Sequence, residues 1–269
     1  VMTHLPIKAV VASVVAWELF FFLSSAVLAR LCRRQGVVAI AAEDEREKAT
    51  KKLAELGPSY VCAFAHACLV GIRGVQHVSD MIGATVTVQL ALPGAADPMY
   101  GAAFGITRTN VIFLSWLIYD LSHVVRTYPK LGGADTVAHH LGFIAASIIC
   151  GHYGILLLQF SWLICGELSS IALNVRWALL TTGRGESAML QVTNKIFALT
   201  FFVTRVLVYG LGLANLLSNR AKLFSLDGVP PPLVMLVVVL LIGGFGLNLM
   251  WMSKIFGMAL GSKRGKKRQ

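Results

Sequence analysis

Long apolar stretches separated by short polar segments make up most of the chain. A membrane-spanning helix needs about 20 mainly apolar residues, and most of these stretches approach or exceed that length. The pattern predicts seven spans, which are residues 9–29, 59–78, 109–126, two spans within 136–180, 194–217 and 230–256. Residues 151–154, which read GHYG, divide the long run into two helices, and consecutive prolines open the last span.

Two other segments lie between the spans. Residues 43–55 begin with acids and continue with lysines, which predicts a surface helix that ends at Gly57 and Pro58. Residues 84–92 form an apolar patch too short to cross a bilayer, which indicates a loop or a re-entrant segment. The expected organisation is a first span with its surface helix (1–57), a helical bundle (58–257) and a basic tail (258–269).

The composition identifies lipid as the solvent of this chain. Hydrophobic residues make up 56% of it and charged residues 14%, whereas soluble domains carry about 25% charged residues. The mean hydropathy is +0.71. The sequence therefore predicts an all-α integral membrane protein, a bundle of about seven transmembrane helices, and argues against a soluble enzyme.

The net charge of +11 reflects membrane orientation rather than nucleic-acid binding. Most lysines and arginines follow the first, third, fifth and seventh spans, and basic loops stay on the cytosolic side of a membrane. This bias predicts a luminal or external N-terminus and a cytosolic C-terminus. The basic run at residues 263–268 is expected to bind the anionic cytosolic leaflet, so the predicted partners are membrane lipids and not nucleic acid.

Ionisable residues inside the predicted spans are the strongest functional signal. They are Glu18, His66, Arg73, Asp120, Glu167 and Arg205. A charged residue at the centre of a membrane helix costs about 2.5–3.5 kcal/mol, so these residues should face the bundle interior, pair with one another or line a cavity. Arg205 lies too deep to reach the polar surface, and we expect it to contact Glu18, Glu167 or a backbone carbonyl.

Helix length places several of these residues at one depth. At about 1.5 Å per residue, Asp120, His66 and Glu167 reach a common layer in the cytosolic half, where His139 and His140 open the fourth span. A neutral histidine beside a carboxylate can accept a proton from an incoming hydroxyl or amine, and such a contact measures about 3 Å. The layer predicts a catalytic group of His139, His140 and Asp120 at the mouth of a cytosolic cavity with an apolar shaft beneath it.

Other polar residues are expected to bind the substrate or support this group. Ser170 and Asn174 share one helix face with Glu167, at spacings of three and seven residues. His66 is expected opposite the histidine pair as a hydrogen-bond partner, and Arg205 completes the set. The alternative is that these residues only form hydrogen bonds that hold the helices together.

Other chemistries find less support. The chain has no G-x-S-x-G motif for a serine hydrolase and no repeated histidine boxes for a di-iron centre. The five cysteines show no paired spacing, so neither a disulfide framework nor a zinc site is predicted. No metal and no resident cofactor is expected.

Several short segments resemble the TLC domain family, which includes the ceramide synthases and the translocon-associated membrane proteins. The segments are DPMYG (97–101), FLSWLIYDLS (113–122), HHLGFIAA (139–146), GELSSIALNVRW (166–177), FFVTRV (201–206) and LNLMWMSKI (247–255). Their order and spacing carry the resemblance, which extends from about residue 66 to residue 255. It implies an endoplasmic reticulum or related membrane and a role in lipid metabolism or homeostasis.

The resemblance also implies a chemistry. In ceramide synthases a histidine pair acts in acyl transfer from acyl-CoA to a sphingoid base, and His139 and His140 match that pair, with Asp120 similar to the family's acid. The ceramide synthase motif continues to a His-Asp pair, whereas this chain reads GELSSIALN, a departure that weighs against sphingoid acylation. Lys266 and Lys267 resemble the dilysine signal that retrieves membrane proteins to the endoplasmic reticulum.

Three functions therefore stay open. The leading hypothesis is a lipid-handling protein whose buried cluster binds a lipid or acylates it, with acyl-CoA as the co-substrate. The second is a non-catalytic regulator or cargo receptor of the same fold. The third is a proton-coupled transporter built on Asp120, Glu167 and Arg205. A narrow apolar slot would favour an acyl chain, and a water path through both faces would favour transport.

The predicted orientation can be tested by glycosylation scanning in microsomes. An N-glycan acceptor placed before the first span should be modified, because the basic loops keep that end out of the cytosol. The same acceptor placed near Lys263 should stay unmodified, as read from the gel mobility of the product. Modification near Lys263 would contradict the predicted topology.

Overall fold

The computed structural model describes residues 5–34, 36–82, 100–225 and 228–266, and the apolar patch at 84–92 lies outside them. The regular elements of these ranges are helices: α1 (Ile7–Cys32), α2 (Glu43–Ile82), α3 (Tyr100–Arg126), α4 (Ala134–Tyr153), α5 (Leu157–Ile164), α6 (Glu167–Thr181), α7 (Ala188–Phe201), a π-helical segment (Phe202–Val208), α8 (Tyr209–Ser218), α9 (Arg220–Phe224) and α10 (Pro231–Lys266). Seven helical stretches are long and apolar enough to cross a membrane. The predicted all-α membrane fold is confirmed.

The helix α2 continues through Gly57 and Pro58, where the sequence predicted an end, so this prediction was wrong. Leu53 and Leu56 are buried, and a Cβ added to Gly57 would lie 2.9 Å from Leu28 Cδ1 in α1. Tertiary packing thus holds the helix across a proline that locally removes a hydrogen bond. The 40 residues of α2 measure about 60 Å, so the helix extends beyond a hydrocarbon core of about 30 Å.

Other helix ends depart from the predicted spans. α3 begins at Tyr100, nine residues before its predicted start, and α7 begins at Ala188, six residues before the predicted sixth span. α4 ends at Tyr153 and Gly154 adopts a left-handed conformation with φ of 64°, which confirms the break inside residues 136–180. A second break, which was not predicted, separates α5 from α6 at Cys165 and Gly166. α10 continues to Lys266, so the tail assigned from residue 258 begins as part of the last helix.

The helices form a ring with a hollow interior. Around the ring, α2 packs on α3, α3 on α4, α4 on α10, α10 on the π-helical segment and α8, and the α7–α8 stretch on α5–α6, which returns to α2. α1 lies outside the ring against α2 and α3, and its outward face carries exposed apolar side chains, such as Val15, Leu19 and Phe22. Such a face suits lipid tails, whereas the interior of the ring is available for polar groups.

Two glycines let α2 approach the junction between α5 and α6 closely. A Cβ added to Gly71 would lie 2.9 Å from Leu168 N, and one added to Gly74 would lie 2.9 Å from Cys165 N. Both obstructing atoms belong to the backbone and cannot turn away. This close contact fixes the start of α6, and with it Glu167, against α2.

Substitution of Gly71 by Ala should therefore destabilise the protein by about 1–3 kcal/mol, because overpacking separates the two helices. The matched control is Gly243→Ala in α10, where an added Cβ would meet no atom within 4 Å. The control should be neutral or slightly stabilising, since alanine favours a helix over glycine. Thermal unfolding of the purified variants in detergent measures both. Equal stability of the two variants would refute the close contact.

Candidate active site

A cavity of about 450 Å³ lies inside the ring. α2, α3, α4, α6, α7, the π-helical segment and α10 contribute to its wall. It holds all of the site residues predicted from the sequence except His66, namely Asp120, His139, His140, Glu167, Ser170, Asn174 and Arg205. Leu131, in the connection between α3 and α4, also lines it, so the cavity reaches the end of the bundle where the basic loops lie.

His140 and Asp120 form a direct contact between α4 and α3. His140 Nε2 lies 2.9 Å from Asp120 Oδ2, which confirms the predicted histidine–carboxylate contact. His140 Nδ1 lies 2.9 Å from the carbonyl oxygen of Thr136, one turn earlier in α4. A carbonyl oxygen only accepts hydrogen bonds, so Nδ1 carries a proton and donates it.

This tautomer determines what the His140–Asp120 contact can contain. With Nδ1 protonated, the Nε2–Oδ2 hydrogen bond needs one further proton, on the imidazole or on the carboxyl group. The pair is therefore either an imidazolium with a carboxylate or a neutral imidazole with a carboxylic acid. In both states the two nitrogens of His140 are occupied by the protein, and neither is free for a ligand.

His139 is held differently from its neighbour. Its ring packs against Phe143, His140 and Trp251, at centroid distances of 4.6, 5.7 and 5.5 Å. Its Nδ1 is buried and makes no hydrogen bond within the described part of the chain. The other nitrogen, Nε2, makes no hydrogen bond within the described residues and is not among the buried atoms that lack a partner, so it is accessible on a residue that lines the cavity. His139 therefore presents the imidazole nitrogen that is available to a ligand.

Arg205 is fixed by four hydrogen bonds to the start of α6. Its Nε donates to the Gly166 carbonyl oxygen (3.1 Å) and to Ser169 Oγ (2.9 Å). Its Nη2 donates to Glu167 Oε1 (3.1 Å) and to Ser170 Oγ (3.0 Å). The predicted contact of Arg205 with Glu167 or a backbone carbonyl is confirmed on both counts. Its other suggested partner, Glu18, lies instead against His123 at 3.2 Å.

Breaks in the helices position this ion pair. Glu167 is the first residue of α6, directly after the break that follows α5, and an acid suits the N-terminus of a helix. Arg205 lies in the middle of the π-helical segment, and such segments occur frequently at functional sites. No pattern in the sequence indicates this segment, because a π-helical turn depends on a shift of backbone hydrogen bonds and not on residue periodicity.

His66 is not part of the cavity wall, and neither of its ring nitrogens makes a hydrogen bond within the described residues, so its predicted role as a hydrogen-bond partner was wrong. It is fully buried and its ring stacks on Trp116 with centroids 3.9 Å apart. Trp116 lines the cavity and thus separates His66 from it. His66 Nδ1 lies 3.9 Å from Glu167 Oε2, too far for a hydrogen bond.

Asn174 faces the cavity with its side-chain nitrogen bonded to the Ser170 carbonyl oxygen at 2.7 Å. Sequence reasoning missed several further cavity residues, namely Tyr60, Trp116, Ser169, Arg176, Trp251 and Lys254. The aromatic ones follow the same spacing as ordinary core residues. The two basic ones stand near the ends of their membrane spans, where charge also serves membrane orientation.

The expected apolar shaft beneath the ionisable layer is not open. Below Phe113, which lines the main cavity, the described residues leave an apolar void of about 30 Å³ among α3, α4, α5 and α10. Apolar walls of the main cavity itself, such as Leu117, Leu173 and Phe197, lie beside the ionisable residues. The described helices therefore form a pocket closed at Phe113.

Comparisons of the whole sequence with known proteins agree on one domain family. The family model of the TLC domain matches residues 61–257. TLC domain-containing protein 4 of Xenopus tropicalis is 27% identical over 168 residues, which cover 60% of this chain and 62% of the frog protein. TLC domain-containing protein 4 of Homo sapiens is 25% identical over 205 residues, which cover 73% of this chain and 71% of the human protein. The chain thus spans less than two thirds of the frog relative, and no solved structure matches it.

The Arg205–Glu167 pair can be tested for its contribution to stability. Glu167→Ala leaves a buried guanidinium without its acid and should lower the free energy of unfolding by about 3–5 kcal/mol. Adding Arg205→Met to Glu167→Ala should restore part of the loss. The matched control is Glu55→Ala, which removes the partner of Lys130 in an exposed pair and should cost less than about 1 kcal/mol. Thermal unfolding of the purified variants measures both losses. An equal loss of unfolding free energy in Glu167→Ala and Glu55→Ala would contradict the buried ion pair.

Proposed function

Because the chain belongs to the TLC domain family of polytopic membrane proteins, we propose that its cavity binds an acyl-bearing lipid ligand and that His139 assists acyl transfer there. The observation that carries this proposal is the unequal state of two neighbouring histidines. His140 is bound at both nitrogens, whereas His139 keeps one nitrogen accessible in the cavity. An enclosed space, an available base and a fixed histidine–carboxylate pair are the parts that acid–base catalysis requires.

The proposed reaction transfers an acyl group from acyl-CoA to a hydroxyl or amine of a membrane lipid. The acceptor atom attacks the carbonyl carbon while His139 Nε2 takes its proton, and the carbonyl electrons move onto oxygen. They return as the carbon–sulfur bond breaks. His139 then gives the proton to the leaving thiolate, so that protons and electrons balance without a further reactant.

The remaining cavity residues fit this chemistry. The His140–Asp120 pair packs beside His139 and holds that part of α4 against α3. Arg176 and Lys254 line the cavity near the ends of their membrane spans, where their charges would attract the phosphates of coenzyme A. Apolar walls at Leu117, Leu173 and Phe197 suit an acyl chain. Acyl-CoA is thus the proposed co-substrate, with membrane lipids as partners.

The same proposal includes a location. The basic loops support a luminal N-terminus and a cytosolic C-terminus, and the proposed membrane is the endoplasmic reticulum, as the TLC domain family implies. In that orientation the cavity end near Leu131 opens towards the cytosol, where acyl-CoA is found. Lipid metabolism or homeostasis is the corresponding cellular role.

A second candidate function is a non-catalytic lipid-binding regulator or cargo receptor. The observation that favours it is that the polar contacts of the site join different helices, as structural hydrogen bonds in membranes do. A proton-coupled transporter is less favoured, because the void of about 30 Å³ below Phe113 is apolar, whereas proton transfer across the membrane needs polar groups or water. These two candidates predict no acyl transfer.

Replacement of the histidines separates these functions. His139→Ala should lower the turnover of radiolabelled palmitoyl-CoA by about 10²–10⁴-fold, since it removes the proposed base. His140→Ala should also lower turnover, because it releases Asp120 and the start of α4. Purified protein in nanodiscs with a mixture of acceptor lipids, and product separation by thin-layer chromatography, provide the measurement.

His77→Ala is the matched control, because His77 is as buried as His140, with 5% of each residue exposed, but bonds to Thr109 outside the cavity. Its turnover per folded molecule should equal that of the wild type. Folded His139→Ala protein with undiminished turnover would end the catalytic proposal for this residue. Lipid binding by a wild type without turnover would favour the regulator.

A further inference from the structure

Arg205 uses only part of its hydrogen-bonding capacity on the protein. A guanidinium has five N–H donors, one on Nε and two on each Nη atom. The four hydrogen bonds to the start of α6 use Nε and Nη2. Among the described residues, Nη1 makes no hydrogen bond, and because it is not among the buried atoms that lack a partner, it is accessible. Since Arg205 lines the cavity, its two Nη1 donors are available to a ligand.

The surroundings of Arg205 make these free donors unusual. The side chain is 12% exposed and lies within a membrane span, where unpaired polar groups are costly. An arginine with a purely structural role between helices would be expected to donate hydrogen bonds from both of its Nη atoms. Here Nε and Nη2 are held by four acceptors, so the position of Nη1 is fixed although it makes no hydrogen bond itself.

The backbone conformation around Arg205 also indicates a functional site. Arg205 stands at the centre of a seven-residue π-helical segment within an otherwise α-helical span. A π-helical turn is rare and occurs frequently at functional sites. The segment gives the ring a local shift of register at the one arginine of this span. This observation is independent of the hydrogen bonds.

The charge balance selects the kind of ligand atom. Glu167 already neutralises Arg205, and Glu167 Oε1 lies 3.1 Å from Nη2. A ligand carboxylate at Nη1 would add a second negative charge beside Glu167. A carbonyl oxygen is neutral when it binds and gains negative charge only when its carbon is attacked, so it benefits most from fixed N–H donors.

We infer that Arg205 Nη1 binds the carbonyl oxygen of the acyl group and stabilises the oxyanion that forms during its transfer. This inference rests on the proposed acyl transfer and adds the group that receives the negative charge. Attack on the carbonyl carbon moves the electron pair onto the oxygen at Nη1. The pair returns when the carbon–sulfur bond breaks, and Arg205 neither gains nor loses a proton.

The test compares Arg205→Lys with the wild type in nanodiscs. Lysine keeps the charge beside Glu167 but has no second donor group at the position of Nη1. We expect kcat for radiolabelled palmitoyl-CoA to fall about 10²–10³-fold, with a smaller change in KM, as for the loss of one oxyanion donor. The matched control is Arg126→Lys at the exposed end of α3, which should keep the wild-type kcat.

A second readout is independent of turnover. The ketone analogue of palmitoyl-CoA, in which a methylene separates the carbonyl from sulfur, cannot transfer its acyl group. In the wild type its carbonyl stretch should move to lower infrared frequency on binding, because the oxygen accepts hydrogen bonds from Nη1. In Arg205→Lys this shift should be smaller, and in Arg126→Lys it should be unchanged.

The outcomes separate the two proposals. Folded Arg205→Lys protein with wild-type kcat and an unchanged carbonyl shift would overturn the oxygen-binding role, and Arg205 would then only tie α6 to the π-helical segment. A wild type without turnover, but with a carbonyl shift that Arg205→Lys abolishes, would refute acyl transfer and support the binding site. An equal shift in both proteins would overturn the site whether or not the wild type turns over.

Discussion

A charge that enters the hydrocarbon layer must find its partner inside the protein, and the ring of helices is arranged around that constraint. Arg205 meets Glu167 across α6 and the π-helical segment, with further acceptors from Gly166 and Ser169. The break after α5 brings Glu167 to the start of a helix, and glycines of α2 allow the junction to lie close. Because an unpaired charge would cost several kcal/mol, the backbone irregularities on both sides are stabilised by the ion pair that they permit.

The same constraint explains why structural and functional roles overlap here. The Glu18–His123 contact joins α1 to α3, and the His140–Asp120 contact joins α3 to α4. Each contact holds helices together, as polar residues in membranes generally do. At the central cavity, His139 and Arg205 keep hydrogen-bonding atoms that no described residue uses. What distinguishes a site from helix–helix bonding is thus unused hydrogen-bonding capacity on residues that line a cavity, and not the presence of polar residues.

The features that could be predicted from the sequence depend on the free energy of charges in lipid and on distance along a helix. The features that were missed depend on tertiary context. Span number and the pairing of Arg205 follow from the free energy of charges in lipid, which acts on every residue in a known direction. The continuation of α2 through Pro58 depends on packing against α1, which no local signal contains. The π-helical segment and the position of His66 behind Trp116 depend on backbone register and on ring stacking, so depth alone could not reveal them.

The histidine pair shows how neighbours in sequence acquire different chemistry. Successive residues of an α-helix point about 100° apart, so His139 and His140 cannot face the same partner. His140 points to Asp120 on α3 and is locked by its second bond to Thr136, whereas His139 packs towards Trp251 on α10. One imidazole therefore fixes the local geometry and the other stays accessible. His140 could not do both here, since one of its nitrogens is bound to Asp120 and the other to the Thr136 carbonyl oxygen. The adjacent pair is the shortest sequence that supplies a held and a free imidazole to one cavity.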